Sequence, residues 1–388
     1  MPRTVSATRF GTLGCVTALP RPLPHPAAGS GVTRRQFLAG AALSLAGLPL
    51  LAACSPRTVV SAFADPSPNE GLADLLALMR RAGGAPQATA NAPADPAAAL
   101  IRRQIPLVAG ELTRQCGVDK EGHGPQDCTQ AAEGTGQTEP TADAADSSAP
   151  RPGAKQVQDA MERLAADPQG APGSAPAARD RSAQAHLMAG LYSGLAAVTE
   201  FPNKQRADQV TRDLQDAVSG AGGGKKSLAK ELDRSLPGLL DRLHAAVWAL
   251  GLALAQEDSP ARAGIRDCAD TLRVCRDAVA QVLDASQAAG GGGVPYRPPA
   301  GFAEGSRPAP TSGEQAVKYT GEDVDGIIAA LRQEVWRSTS APARRFYTVW
   351  AGRLAQPLSQ LDAPLGLKTQ EITLRGEQPS GQAAPKTP

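Results

Sequence analysis

The chain has 388 residues, 41% of them apolar but only 3% aromatic, so its core is built from Ala, Leu and Val, a composition that favours packed helices over sheets. Gly 40 and Pro 34 place long stretches outside regular structure. A net charge of +2 excludes a basic-patch nucleic-acid binder, and the want of any ~20-residue apolar run beyond the N-terminus excludes a multispanning membrane protein.

Residues 1–53 contain Arg3, Arg9, Arg21, Arg34 and Arg35 and no acid. Thr33-Arg34-Arg35-Gln36-Phe37-Leu38 opens an uncharged apolar run of 17 residues, Phe37 to Ala53. A positive start, a short apolar stretch and small residues at its end are the marks of an export signal. The run is too short and too rich in Gly and Ala for a spanning helix. Arg34 and Arg35 followed by Phe-Leu resemble the twin-arginine translocation signal, whose machinery exports folded proteins. The stretch upstream of Arg34 is long for such a signal, which leaves the start codon open.

The run ends in Leu51-Ala52-Ala53-Cys54, which resembles a bacterial lipobox. The resemblance implies that Cys54 is alkylated by a diacylglyceryl group and becomes the new N-terminus. Each buried methylene contributes ~0.8 kcal/mol, so two or three acyl chains hold a soluble domain at a membrane. The alternative, a cysteine beside an ordinary cleavage site, needs three signals in order by coincidence. Cleavage removes five arginines from a net +2 and leaves a mature charge of −3. The expected location is the extracytoplasmic face of the bacterial cell membrane.

A polar tether covers 54–69. N-terminal helices occupy 70–116: one carries Leu72, Leu75, Leu76, Leu78 and Met79, and a second starts at Asp95-Pro96 and is interrupted by Pro106, which predicts a kink or two shorter helices. From 117 to 153 seven acids face Lys120 and Arg151, and Val118 is the only aliphatic residue larger than Ala, so this stretch reads as a disordered acidic linker. A helical segment over 154–225 carries the stripe Leu187, Leu191, Leu195 and Val198 and packs on a C-terminal bundle.

In the first helix of that bundle Leu236, Leu240, Leu243, Val247, Leu250 and Leu254 alternate by four and three, a bundle seam, with Pro237 near its start or kinking it. Ile265, Cys268, Leu272, Cys275, Val279 and Val282 repeat the pattern, with Arg266–Asp270 and Arg273–Asp277 as i,i+4 pairs on the opposite face. After a Gly/Pro-rich connection come helices through Val324–Val335 and Phe346–Leu361. All three tryptophans, Trp248, Trp336 and Trp350, fall in this set and are expected in its core. Residues 226–362 thus read as an up-down four-helix bundle in an all-α protein, with a loose tail over 363–388.

This region resembles a bacterial ferritin-like domain family of unknown function found in exported proteins. The resemblance rests on Leu243-His244-Ala245-Ala246-Val247-Trp248, on Leu272-Arg273-Val274-Cys275-Arg276-Asp277, on Tyr296 and Pro298 in the connection, and on Trp336 and Trp350. It implies the ferritin-like fold. That family's pattern has Glu-His where Leu243-His244 stands and His at 272, where this chain has Leu. A di-iron bundle needs about four inward carboxylates and two Glu-x-x-His motifs. Here Asp241-x-x-His244 is the one approximation, and the nearby carboxylates Glu334 and Asp267 read as solvent-facing. The resemblance therefore carries the fold without the metal chemistry, and no cofactor is expected.

Cys116, Cys128, Cys268 and Cys275 remain after Cys54 in an oxidising compartment. On one continuous helix Cys268 and Cys275 are about 10.5 Å apart, beyond the roughly 7 Å that a bridge allows. Full oxidation then joins both to Cys116 and Cys128, stapling the 116–128 segment onto that helix. The alternative keeps Cys268 and Cys275 as buried thiols on the core stripe. Cys116, His123 and Cys128, with Asp127 or Glu121, are a weaker zinc set, since paired Cys-x-x-Cys spacing is missing. The glycine runs lack the Lys-Ser/Thr of a phosphate loop.

The expected role is a membrane-anchored envelope lipoprotein with a non-catalytic helical domain for binding or scaffolding. Its expected partners are the membrane, through the lipid, and an envelope protein; nucleic acid is excluded and a small-molecule ligand stays open. The competing reading is a ferritin-like metal-binding redox protein using Asp241 and His244. A solute-binding lipoprotein is disfavoured, because such folds alternate strands and helices.

Overall fold

Asn69 starts the first helix: its side-chain oxygen accepts from Leu72 N, Glu70 lies in the first turn, and Arg80 and Arg81 in the last. This is the charge order that a helix dipole favours. The computed structural model describes residues 68–84, 95–117, 126–134, 152–168, 178–199, 203–220, 225–256, 261–291 and 308–377. Arg34, Arg35, Cys54 and the tether up to residue 67 lie outside the described residues, as do His123, Tyr296 and Pro298. Among the described residues all regular structure is helical, in ten α-helices and one short 3₁₀ turn, with no strand. None of these helices is long and apolar enough to cross a membrane.

The elements are α1 (Glu70–Gly83), α2 (Pro96–Cys116), α3 (Gln126–Glu133), α4 (Ala154–Ala166), α5 (Ala178–Val198), α6 (Asn203–Ser219), α7 (Lys225–Leu254), α8 (Arg262–Ala288), α9 (Gly313–Arg337) and α10 (Ala341–Ser359), followed by the 3₁₀ turn Thr369–Glu371. Asp95 caps α2, accepting from Ala97 N. Of the kink or split expected at Pro106, the split does not occur: α2 runs through it. Pro106 sits on the exposed face, while Leu100, Ile101, Val108 and Leu112 hold both halves in the core. Pro237 is likewise carried inside a continuous α7.

Two expectations about loose segments are corrected. Within 117–153, α3 forms, and its Cys128 is 1% exposed. A disulfide from Cys128 to Cys116, with Cα atoms 6.3 Å apart, compensates for the missing apolar residues. The Arg80 guanidinium completes the clamp by donating to the carbonyls of Ala131 and Ala132 at the end of α3. The tail after Leu361 also has order. Asp362 and Arg375 form a buried ion pair, Thr369 Oγ1 donates to Asp362 Oδ2 at 2.7 Å, and Gly376 N donates to Asp325 Oδ1 at 2.9 Å. Arg332 Nη1 donates to Arg375 O at 2.6 Å and Gln104 Nε2 to Thr373 O at 2.9 Å, tying this return to α9 and α2. Polar side chains, not greasy ones, order it, so a hydrophobicity reading passes over it.

The helices share one continuous core running from Leu72 to Leu361. The neighbours α7 and α8 pair along their length, and α9 and α10, joined by residues 338–340, pair with each other. Helix α10 is the hub, packing on α4, α5, α6, α8 and α9. It meets α5 closely through Gly352, where a Cβ would collide with the Tyr192 ring. In α5, Leu191 and Leu195 of the expected stripe are fully buried, while Leu187 and Val198 are half-buried. Ala185, Met188, Ala189 and Tyr192 are fully buried too, because this helix is covered on several sides.

A charged knot crosses the core where α4, α6 and α10 meet. The side chain of Glu162 is 3% exposed and accepts from Arg206 Nε and Arg345 Nε, each at 2.6 Å. Asp159 holds Arg206 from the same side, at 2.9 Å. On the outer face of α8 the pairs that form are Arg273–Asp270 and Arg276–Asp277, in place of the expected i,i+4 register. All four carboxylate and guanidinium partners retain solvent there, so either register serves.

Candidate functional site

On α7 the seam residues Leu236, Leu239, Leu240 and Leu243 turn inward, so Glu231, Arg234, Ser235, Gly238 and Arg242 fall along the opposite polar side at i+3 and i+4 spacing. On α9 the same logic leaves Gly326, Ala329, Ala330, Gln333 and Arg337 beside one another. These two stripes line an open groove of about 990 Å³, to which His186 of α5, Tyr347 of α10 and Gly376 of the returning tail also contribute.

Small residues make the space. Gly238 and Gly326 stand in helix interiors, where glycine costs up to about 1 kcal/mol relative to alanine. A Cβ at either position would meet nothing within 4 Å. Neither glycine is demanded by close packing of another helix.

The carboxylates of the groove are engaged. Glu231 accepts from Thr339 N at 3.1 Å, Thr339 Oγ1 at 3.0 Å and Ser338 Oγ, which fixes the link between α9 and α10. Glu334 binds Arg337 at 2.9 Å. Its side chain is 12% exposed, which corrects the expectation that it faces solvent, and burial raises its pKa against the opposing charge of Arg337. Asp267 is exposed as its periodicity indicates, accepting from Gln360 Nε2 at 3.2 Å.

Tyr347 is buried, and its hydroxyl pairs with Ser235 Oγ at 2.9 Å. Burial, reinforced by Glu334 and Glu231, raises its pKa, so it stays a neutral phenol. His186 stacks edge-on against Trp336 with ring centroids 5.9 Å apart. Burial and the neighbouring Arg332 charge push its pKa down to about 4, partly opposed by a hydrogen bond with the Arg332 backbone. It is therefore a neutral imidazole at ordinary pH, and its buried Nδ1 has no partner among the described residues.

The sites read from sequence lie elsewhere. Asp241 and His244 are half-buried on α7. Burial and Arg276 lower the His244 pKa, while Asp241 and Asp277 raise it, so this is a mixed-charge surface between α7 and α8. Among the described residues no group of three or more His, Cys, Asp or Glu could hold a metal ion. The Cys116–Cys128 disulfide corrects the staple: the bridge closes locally, and Cys268 and Cys275 are fully buried free thiols on the α8 core stripe. It also takes both thiolates from the zinc alternative. Burial pushes the Cys268 thiol up to about 12 and raises Cys275 further, so neither is a nucleophile. Of the tryptophans expected in the core, Trp350 is buried and donates to Thr211 Oγ1 at 3.0 Å, whereas Trp248 and Trp336 are half-buried.

Sequence reasoning missed the groove because its residues are ordinary types spread over α5, α7, α9, α10 and the returning tail. The available signal was Gly238 and Gly326, each inside an otherwise strong helical pattern. Comparison with protein-family models, with curated proteins and with solved structures gave no match.

Proposed function

We propose that this protein is a lipid-anchored component of the bacterial envelope whose helical domain binds or scaffolds and performs no catalysis of its own. The observation that carries the reading is the order Arg34-Arg35, the 17-residue apolar run and Leu51-Ala52-Ala53-Cys54. In that reading Cys54 bears the diacylglyceryl group and the mature domain faces outward from the cell membrane, where a protein partner meets it. The Cys116–Cys128 disulfide supports an oxidising destination. We read α7 to α10 as the ferritin-like set, a view supported by the α7–α8 and α9–α10 pairings and by contacts of α7 with α9 and α8 with α10. Leu243 and Leu272, both fully buried, stand where that family's pattern places polar ligands, which favours binding over redox chemistry.

The test is growth with an alkyne-tagged palmitate, followed by fractionation. Label and membrane retention are expected for the native chain, and both should vanish in Cys54→Ala. Substituting Arg34→Lys together with Arg35→Lys should leave the precursor in the cytoplasm. A native chain that takes no label would overturn the proposal.

A further inference from the structure

Arg234 and Arg242 line the α7 wall of the groove, and neither has an ion pair or hydrogen bond among the described residues. They lie two turns apart on one helix, with Gly238 midway. Their long side chains therefore flank a gap that a Cβ on Gly238 would not find filled. The groove carboxylates make their hydrogen bonds elsewhere, Glu231 to residues 338 and 339 and Glu334 to Arg337, although Glu334 also feels the charge of Arg242. The same groove is lined by Trp336, packed edge-on by His186, and by Ala329 and Ala330.

We propose that this groove binds a small organic anion, a flat apolar body bearing a carboxylate or phosphate, and so names the ligand class for the binding role proposed above. Arg234 and Arg242 take the anion by charge-assisted hydrogen bonds, for which a planar guanidinium is well shaped. Trp336 and the alanine floor take the body. The space of about 990 Å³ is at the large end of ordinary small-molecule sites. The inference rests on the binding role alone and not on the anchor.

The test is a fluorescence titration of the full chain carrying Cys54→Ser, so that acylation has no part in the result. Dansylglycine supplies a flat body with a carboxylate, and dansylamide is the same body without charge. Dansylglycine should saturate one site at least tenfold more tightly than dansylamide. Arg234→Ala with Arg242→Ala should weaken dansylglycine at least tenfold and leave dansylamide unchanged. Both arginines are exposed, so the urea midpoint should not move. Gly238→Leu should block both dyes. No saturable dansylglycine binding, equal affinity for the two dyes, or indifference to the double substitution or to Gly238→Leu would each overturn the proposal. A failed titration with membrane labelling intact refutes the groove alone, and lost labelling with a successful titration refutes the anchor alone.

Discussion

Glu162→Gln tests whether the knot between α4, α6 and α10 holds the core together. The native carboxylate is 3% exposed and receives two guanidinium Nε–H groups at 2.6 Å, one from Arg206 on α6 and one from Arg345 on α10. An amide keeps the shape but offers one carbonyl to two donors, and its NH₂ turns toward the second guanidinium. Removing one partner of a buried pair costs about 3–5 kcal/mol when the other is stranded. Here Arg206 is 24% and Arg345 43% exposed, and Asp159 and Asp213 stand by to receive them. Solvent and those carboxylates recover part of the loss, so we expect about 2–3 kcal/mol. Urea unfolding followed by tryptophan fluorescence reads this directly, because Trp350 on α10 bonds Thr211 on α6. The midpoint should fall with an unchanged slope. A loss below about 1 kcal/mol would refute the reasoning, since it would mean that water replaces the carboxylate without cost.

Tyr192 is fully buried with a hydroxyl that has no partner among the described residues, so Tyr192→Phe should leave the urea midpoint unchanged or raise stability by up to about 1 kcal/mol. Gly352→Ala should cost about 1–3 kcal/mol by the same assay, because its methyl group lands on the Tyr192 ring. Thiol titration of the mature, lipidated protein should find no reactive thiol when folded, two in denaturant and four after reduction. Reduction of the 12-residue loop should lower stability by up to about 3 kcal/mol. His186 has a folded pKa near 4 against 6.5 when unfolded, so its contribution is complete above pH 6.5 and is lost as pH falls toward 4. Solvent in the groove screens that contribution to about 1–2 kcal/mol, and an NMR titration giving His186 a pKa near 6.5 would refute it. Elemental analysis should find no stoichiometric iron or manganese; metal that disappears in His244→Ala would reverse the preference for binding over redox chemistry.

The helices themselves were legible because their signals are local. The alternation of Leu236, Leu240, Leu243 and Leu250, or the Asp95-Pro96 start, needs only neighbours in sequence, and each lies where it was read. The features that escaped depend on partners far along the chain. Asp362 and Arg375 order the tail only because Asp325 and Arg332 of α9 receive it. Gln126–Glu133 becomes a helix because Cys116 and Arg80 grip it. The cysteine staple failed for a related reason: spacing on α8 excluded a 268–275 bridge, but it could not show that Cys116 and Cys128 lie close enough to satisfy each other.

The same distinction explains why the groove was invisible while its walls were not. Periodicity assigns the inward face of α7 and of α9, and by elimination their outward faces, but it does not say which outward faces meet. Glu231 settles this, because it reaches from α7 to Thr339 and so sets α7 against the end of α9. That contact occupies the Glu231 carboxylate, so that Arg234 and Arg242 have no hydrogen-bonded carboxylate partner in the groove, although Arg242 still acts on Glu334 through its charge. Glu231→Gln should therefore do two separable things. It should loosen the 338–340 link, at a cost of about 1–2 kcal/mol for weakened hydrogen bonds to a charged group. It should also leave the affinity for dansylglycine within about twofold, since the anion meets the arginines and not the acid. Equal loss of both would mean that the acid shapes the anion site itself.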